Sequence, residues 1–187
     1  MALVDRAALR DNYDRVVARL AAEPGFGLMR PSVSARLVEG VSVESTFVQY
    51  GRPFTLLGDE AADRGGRETG PSPMRYFLTG IAFCLLGWWA KGSAVLGVEL
   101  DSLAVRLETF LDMRGEHGLE GVPPHPQWLL VEVQVAGPAG ADDVLRVVDW
   151  GIARCPLSVL VARAVPLHQR VLLNGEPIRD AVPPQAA

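Results

Sequence analysis

The stretch that decides the fold is GPSPMRYFLTGIAFCLLGWWAK, residues 70–91. Between Arg75 and Lys91 lie 15 residues without a formal charge. Phe77, Ile81, Cys84, Leu85 and Trp88 recur at helical spacing. Pro73 suits a first helical turn, where a missing N–H goes unnoticed. Gly80 and Gly87 fall on another face and permit close backbone approach. The pattern predicts a helix over residues 72–91, apolar nearly all round, which must be covered on nearly all sides. Its apolar stretch falls short of the ~20 residues that span a bilayer, so it is expected inside protein.

Upstream, residues 58–73 (GDEAADRGGRETGPSP) read as a loop long enough to suspect function. Before it, residues 32–37 and 41–50 alternate apolar and polar side chains and predict a β-hairpin, with a third strand over 53–57. Residues 3–22 predict an amphipathic surface helix, with Leu9, Tyr13, Val16, Val17 and Leu20 on one face and Pro24-Gly25 as its stop. Downstream, 103–113 and 128–136 alternate as strands around a Gly-, Pro- and His-rich loop at 114–126. A helix over 142–154 directs Val144, Leu145, Val148 and Ile152 inward and ends at Cys155-Pro156, because proline disfavours α conformation in the residue before it. A short helical piece at 159–165 and a hairpin around Asn174-Gly175 complete the chain, with 181–187 an unstructured tail. Strands and helices are segregated with no βαβ rhythm, which predicts an α+β fold.

Composition narrows the function. The 187 residues fit one domain, 49% hydrophobic and 21% charged, and exclude a disordered chain or a disulfide scaffold. The net charge of −4 argues against a nucleic-acid partner. Seventeen of the 18 basic residues are arginine, Lys91 being the one lysine, and there is no polybasic membrane patch. With no signal-peptide pattern at the start, the expectation is a cytoplasmic chain with reduced thiols and no membrane association. No Gly-rich phosphate fingerprint occurs. The two cysteines and three histidines have no zinc-ligand spacing.

That leaves the two thiols. Cys84 sits mid-helix, where a cysteine commonly packs as a small hydrophobe. Cys155 reads as lying at a helix C-terminus, where the dipole disfavours a thiolate, so it suits a resolving role rather than that of nucleophile. The charged loop residues Asp59, Glu60, Asp63, Arg64, Arg67 and Glu68 read most simply as solvated.

The run Asp59-Glu60 … Gly65-Gly66 … Thr69-Gly70-Pro71-Ser72-Pro73-Met74, followed eleven residues after Pro73 by Cys84, resembles the OsmC/Ohr family of osmotically inducible and organic-hydroperoxide-resistance proteins. Arg154-Cys155-Pro156-Leu157-Ser158 is similar to the family's CPxS element, and Leu172-Leu173-Asn174-Gly175-Glu176-Pro177 to its closing hairpin. The resemblance spans roughly residues 32–178. It places an OsmC-like domain at 26–180, after a helical extension at 1–25 and before the tail. It implies an α+β, intertwined homodimer whose long central apolar helices pack against antiparallel sheets, with the site at the dimer interface. There Cys84 would be the peroxidatic thiol and Cys155 the resolving thiol. Arg36 would hold the thiolate, with Arg64 and Arg67 as the other candidates. The implied substrate is a hydrophobic hydroperoxide and the implied reductant a dithiol of the dihydrolipoyl type, with no bound cofactor or metal. Met74 stands where the resemblance calls for a glutamate that orients the arginine. It motivates a second reading, a non-peroxidatic OsmC-fold protein that binds an apolar small molecule or senses oxidation.

Overall fold

The computed structural model describes residues 3–119, 121–164 and 166–181. The expected tail lies outside them, apart from Ala181. By internal contacts the chain divides into two compact units, Arg19–Thr79 and Met1–Ala18 with Gly80–Ala187.

The first unit is built on a three-stranded antiparallel sheet, β1 (Ser34–Glu39), β2 (Ser42–Gln49) and β3 (Arg52–Gly58), in that order. Its register sets Arg36 opposite Glu44 and Phe47 opposite Phe54, whose rings stack at 5.5 Å. Tyr50 and Gly51, at φ 54° and 71°, form the β2–β3 turn, whose two left-handed residues match the twist of the strands. β1 is exposed along its whole length, and β3 except at Gly58. In the loop that follows, Asp59 is buried. Its carboxylate accepts from the N–H groups of Glu60, Arg67 and Thr69 at 2.9, 3.2 and 3.1 Å and from the Thr69 hydroxyl at 2.6 Å. These donors, the Thr69 hydroxyl first, hold its carboxyl far below the usual carboxylate range. The expectation of a solvated loop is therefore corrected at Asp59, which ties the loop to itself. Gly66 is required by close approach, since a Cβ there would fall 1.8 Å from the Glu60 carbonyl oxygen.

The second unit holds a four-stranded sheet of order β4-β5-β6-β7, made of Ser102–Thr109, Leu129–Ala136, Leu167–Leu173 and Glu176–Ala181. β4 with β5 and β6 with β7 are antiparallel, whereas β5 and β6 run parallel. The parallel pair is one crossover that the strand pattern alone did not reveal. Two short helices between β5 and β6 supply the length that a parallel connection needs. Leu129, Val131, Val133 and Val135 are buried, as the alternation of β5 predicts, together with Val171 of β6. A short helix, α3 (Met113–Glu116), lies in the segment read as loop.

The apolar helix, α2 (Pro73–Leu96), runs five residues beyond the expected end. At 24 residues it is long and apolar enough, by length and composition, to cross a membrane, and a third of its apolar stretch is buried within this chain. Its remaining surface is not covered in the single chain, and Phe83 is 71% exposed. In the second unit, Ile81, Leu85, Trp89 and Gly92 of α2 are buried, as are Val144, Val147, Val148 and Gly151 of α4 (Ala141–Ile152). Trp89 is fully enclosed and donates its indole N–H to the Val148 carbonyl at 3.0 Å. Its ring lies over Gly151, where a Cβ would come within 2.3 Å of it. Arg6 and Arg10 of α1 (Arg6–Ala22) donate to the Gly97 and Val95 carbonyls at 3.2 and 2.7 Å, satisfying backbone acceptors left over at the end of α2. Tyr13 packs its ring on Trp150 at 5.8 Å.

Gly151→Ala is expected to destabilise the fold by roughly 1–3 kcal/mol, because overpacking outweighs the better helix propensity of alanine. A lowered urea midpoint at unchanged slope would record it, and an unchanged midpoint would contradict the tight seat.

Candidate active site

Seating Trp89 over Gly151 sets the two thiols opposite one another. Cys84 precedes Trp89 by five residues on α2, and Cys155 follows Gly151 by four. Because α2 and α4 run antiparallel at this contact, these offsets lead to the same level. The Cys155 thiol donates to Cys84 Sγ at 2.9 Å. That is well outside the ~2.05 Å of a disulfide bond, and both cysteines are free. Cys155 is fully buried, whereas Cys84 is half-buried.

Cys155 does not end a helix in the sense expected from the sequence. α4 closes at Ile152, and Cys155 is the N-cap of a new helix, α5 (Pro156–Ala162). The proline that forbids helix in the residue before it also begins one well, which is why one signal was read only as a stop. The CPLS element then has a physical reading. Pro156 occupies the first position and has no N–H to satisfy. Of the next two N–H groups, that of Ser158 donates to Cys155 Sγ at 3.4 Å, and that of Leu157 favours the ionised form of Cys84. The Ser158 hydroxyl, fully buried, reaches back to the Ile152 and Cys155 carbonyls at 2.8 and 3.0 Å. It pins the end of α4 to the start of α5 and so fixes the sulfurs. The motif in sequence carries no sign of these roles, which depend on α5 starting at Pro156.

Electrostatics make the pair a unit. Burial, then the adjacent Cys155 sulfur, push the Cys84 thiol up to about 11, while the Leu157 N–H and the charge of Lys91 pull the other way. Two sulfurs this close cannot readily both ionise, so the pair gives up one proton and retains the second.

The arginines named from sequence lie in the first unit, each facing a carboxylate. Arg36 pairs with Glu44 at 3.0 Å, Arg64 with Glu60 at 3.5 Å and Arg67 with Glu39 at 2.7 Å. Met74 is half-buried in the first turn of α2.

No family model and no curated protein matches the sequence. Solved structures do match by fold. An OsmC-like protein from Mycoplasma pneumoniae superposes with a TM-score of 0.64 at 15% identity, covering 78% of this chain and 97% of its own. An organic hydroperoxide resistance protein from Elizabethkingia anophelis gives 0.61 at 12% identity, covering 78% and 99%. An organic hydroperoxide resistance protein OsmC from Legionella pneumophila gives 0.59 at 16% identity, again covering 78% and 99%.

Thiolate absorbance against pH, corrected with a Cys84→Ser/Cys155→Ser double variant, is expected to show the Cys84 step at about 11. Cys155→Ser should move the Cys84 step to lower pH by removing its neighbour. A step left in place in that variant would contradict a shared proton. With nearly the whole of each neighbour matched across 78% of this chain, the chain has the fold of the OsmC and organic hydroperoxide resistance proteins.

Proposed function

We propose that the protein reduces organic hydroperoxides by thiol chemistry, with Cys84 as peroxidatic and Cys155 as resolving thiol. The observation that carries this reading is the free thiol pair, 2.9 Å apart on separate elements, with the start of α5 donating an N–H to the Cys155 sulfur. The names of the fold neighbours as hydroperoxide resistance proteins support a stress-response role.

The roles follow from access and hydrogen-bond direction. Cys84 is the more exposed sulfur and accepts from Cys155. Its thiolate attacks the terminal oxygen of ROOH. The O–O bond breaks, the alkoxide takes a proton to leave as ROH, and Cys84 becomes a sulfenic acid. Cys155, as thiolate, attacks that sulfur, forming the disulfide and expelling hydroxide, which is protonated to water. An external dithiol of the dihydrolipoyl type then reduces the disulfide through a mixed disulfide, itself becoming oxidised. Exposed Phe83, Leu157 and Leu160 suit a fatty or aryl substituent better than hydrogen peroxide. Arg36 is proposed as the cation that holds the thiolate, oriented by Glu44 across the β1–β2 ladder in place of the glutamate that Met74 displaces.

The active form is proposed to be a homodimer in the cytoplasm. Two features support the dimer, the bare surface of α2 and a three-stranded sheet exposed along β1 and β3. An isolated small sheet needs a covered face to be stable. Light scattering at micromolar concentration should return twice the mass of the 20.2 kDa chain, and a monomeric mass would remove the interface reading.

With cumene hydroperoxide and a dithiol, Cys84→Ser is expected to abolish turnover. Cys155→Ser should release no more than about one alcohol per chain and leave a sulfenic acid that dimedone traps. Retained turnover in Cys84→Ser would overturn the assignment.

A further inference from the structure

We infer that Lys91 is a positioning residue for Cys84: its ammonium, laid along the same face of α2, favours the ionised sulfur from within the helix that carries it. Cys84, Trp88 and Lys91 are spaced by four and three residues, which brings them onto one helical face. Helical side chains lean toward the N-terminus, so Lys91 leans over Trp88 in the direction of Cys84. Its Nζ lies 4.6 Å from the Trp88 ring centroid, a cation–π contact that holds the flexible chain. Trp88 is in turn braced by Trp150 of α4, ring to ring at 5.8 Å.

Lys91 also belongs to the unit that carries both thiols, and it acts alongside the arginine proposed above. Arg154 adjoins Cys155 in sequence, but its guanidinium stacks on Trp150 at 4.2 Å and donates to the Trp150 carbonyl at 3.2 Å. Among the described residues Lys91 has no carboxylate at salt-bridge distance, so no ion pair cancels its field. Cys155, from the α4–α5 joint, opposes ionisation of Cys84; the Leu157 N–H of α5 favours it, and the charge of Lys91 adds to Leu157. For its catalytic consequence the inference rests on Cys84 being the peroxidatic thiol. It departs from the resemblance, which looks for an arginine from a strand.

As Lys91 is the one lysine of the chain, amine chemistry addresses it cleanly. Acetylation removes its charge, while reductive dimethylation keeps it; the N-terminal amine changes charge in the same sense, and Lys91→Met, which leaves that amine untouched, controls for it. The test is the pH at which Cys84 reaches half-maximal alkylation by iodoacetamide, in full-length Cys155→Ser protein, so that one sulfur titrates. Acetylation and Lys91→Met are expected to raise that midpoint, slowing alkylation at a fixed pH below it by roughly three- to tenfold. Dimethylation and Lys91→Arg are expected to leave it in place, and the difference should shrink in high salt. Circular dichroism confirms that each form is folded, and the two chemically modified forms decide the matter if a substitution is not. Coinciding midpoints for the acetylated and dimethylated proteins would overturn the inference.

The titration uses no peroxide and so separates the two readings. A charge-dependent midpoint in a chain inactive on cumene hydroperoxide keeps Lys91 and loses the peroxidase. Normal turnover of the unaltered protein with coinciding midpoints does the reverse.

Discussion

Everything in the candidate site hangs on the seat of Trp89 over Gly151. A buried indole removes of order 150–250 Å² from water, worth roughly 4–6 kcal/mol gross at the usual area coefficient. Here it does so with its one polar atom satisfied by a helix carbonyl. The contact also sets a register. Once the ring covers a position without a side chain, sliding α2 against α4 by one residue would drive a Cβ into the indole or open a void. The thiols lie about a turn away on either element, so that same register sets their separation. Burial in the core thus fixes a chemical distance.

At that distance the helix start becomes the decisive element. A proline at the first position of α5 has no N–H to satisfy, and the Ser158 N–H goes to the Cys155 sulfur rather than to one of the oxygen caps that usually serve a helix. The thiols are therefore part of the fold's own hydrogen bonding as well as its chemistry. Removing the Cys155 sulfur takes away a helix cap and the partner of Cys84 together. This is why the pair, and neither cysteine alone, is the unit whose protonation has meaning.

The sequence disclosed the elements more fully than their junctions. The period of 3.6 in α2 and the alternation in β5 survive in the structure because each reports a whole face of buried side chains. Cys155 was misplaced because a proline carries two messages, a stop and a start, and one residue cannot say which applies. Asp59 was read as solvated because a carboxylate in a Gly-rich run looks the same from the sequence whether it faces water or four donors. The parallel β5–β6 pairing was missed because a connection of predicted helices over 142–154 and 159–165 does not say in which direction the next strand runs. The motif resemblance reached what periodicity could not, since neither spacing nor composition shows that residues 71 apart meet. Lys91 was visible throughout as the one lysine, but its relevance needed the ring of Trp88 beneath it.

The same helix that solves one packing problem leaves another open. The face of α2 that carries Trp89 is consumed by α4, whereas Phe83 stands largely in solvent a residue away from Cys84. Leu160 of α5 is likewise exposed beyond the thiols. An apolar surface beside a reactive sulfur serves two ends, excluding water from the thiolate and receiving an apolar substituent. Either requires something to cover it. On the dimeric reading, the surface that a second chain would close is also the wall of the site, so assembly and activation of the thiol are one event. A charge already resident on α2, at Lys91, then matters more as that cover excludes water, because the field between ammonium and sulfur strengthens as the dielectric around them falls.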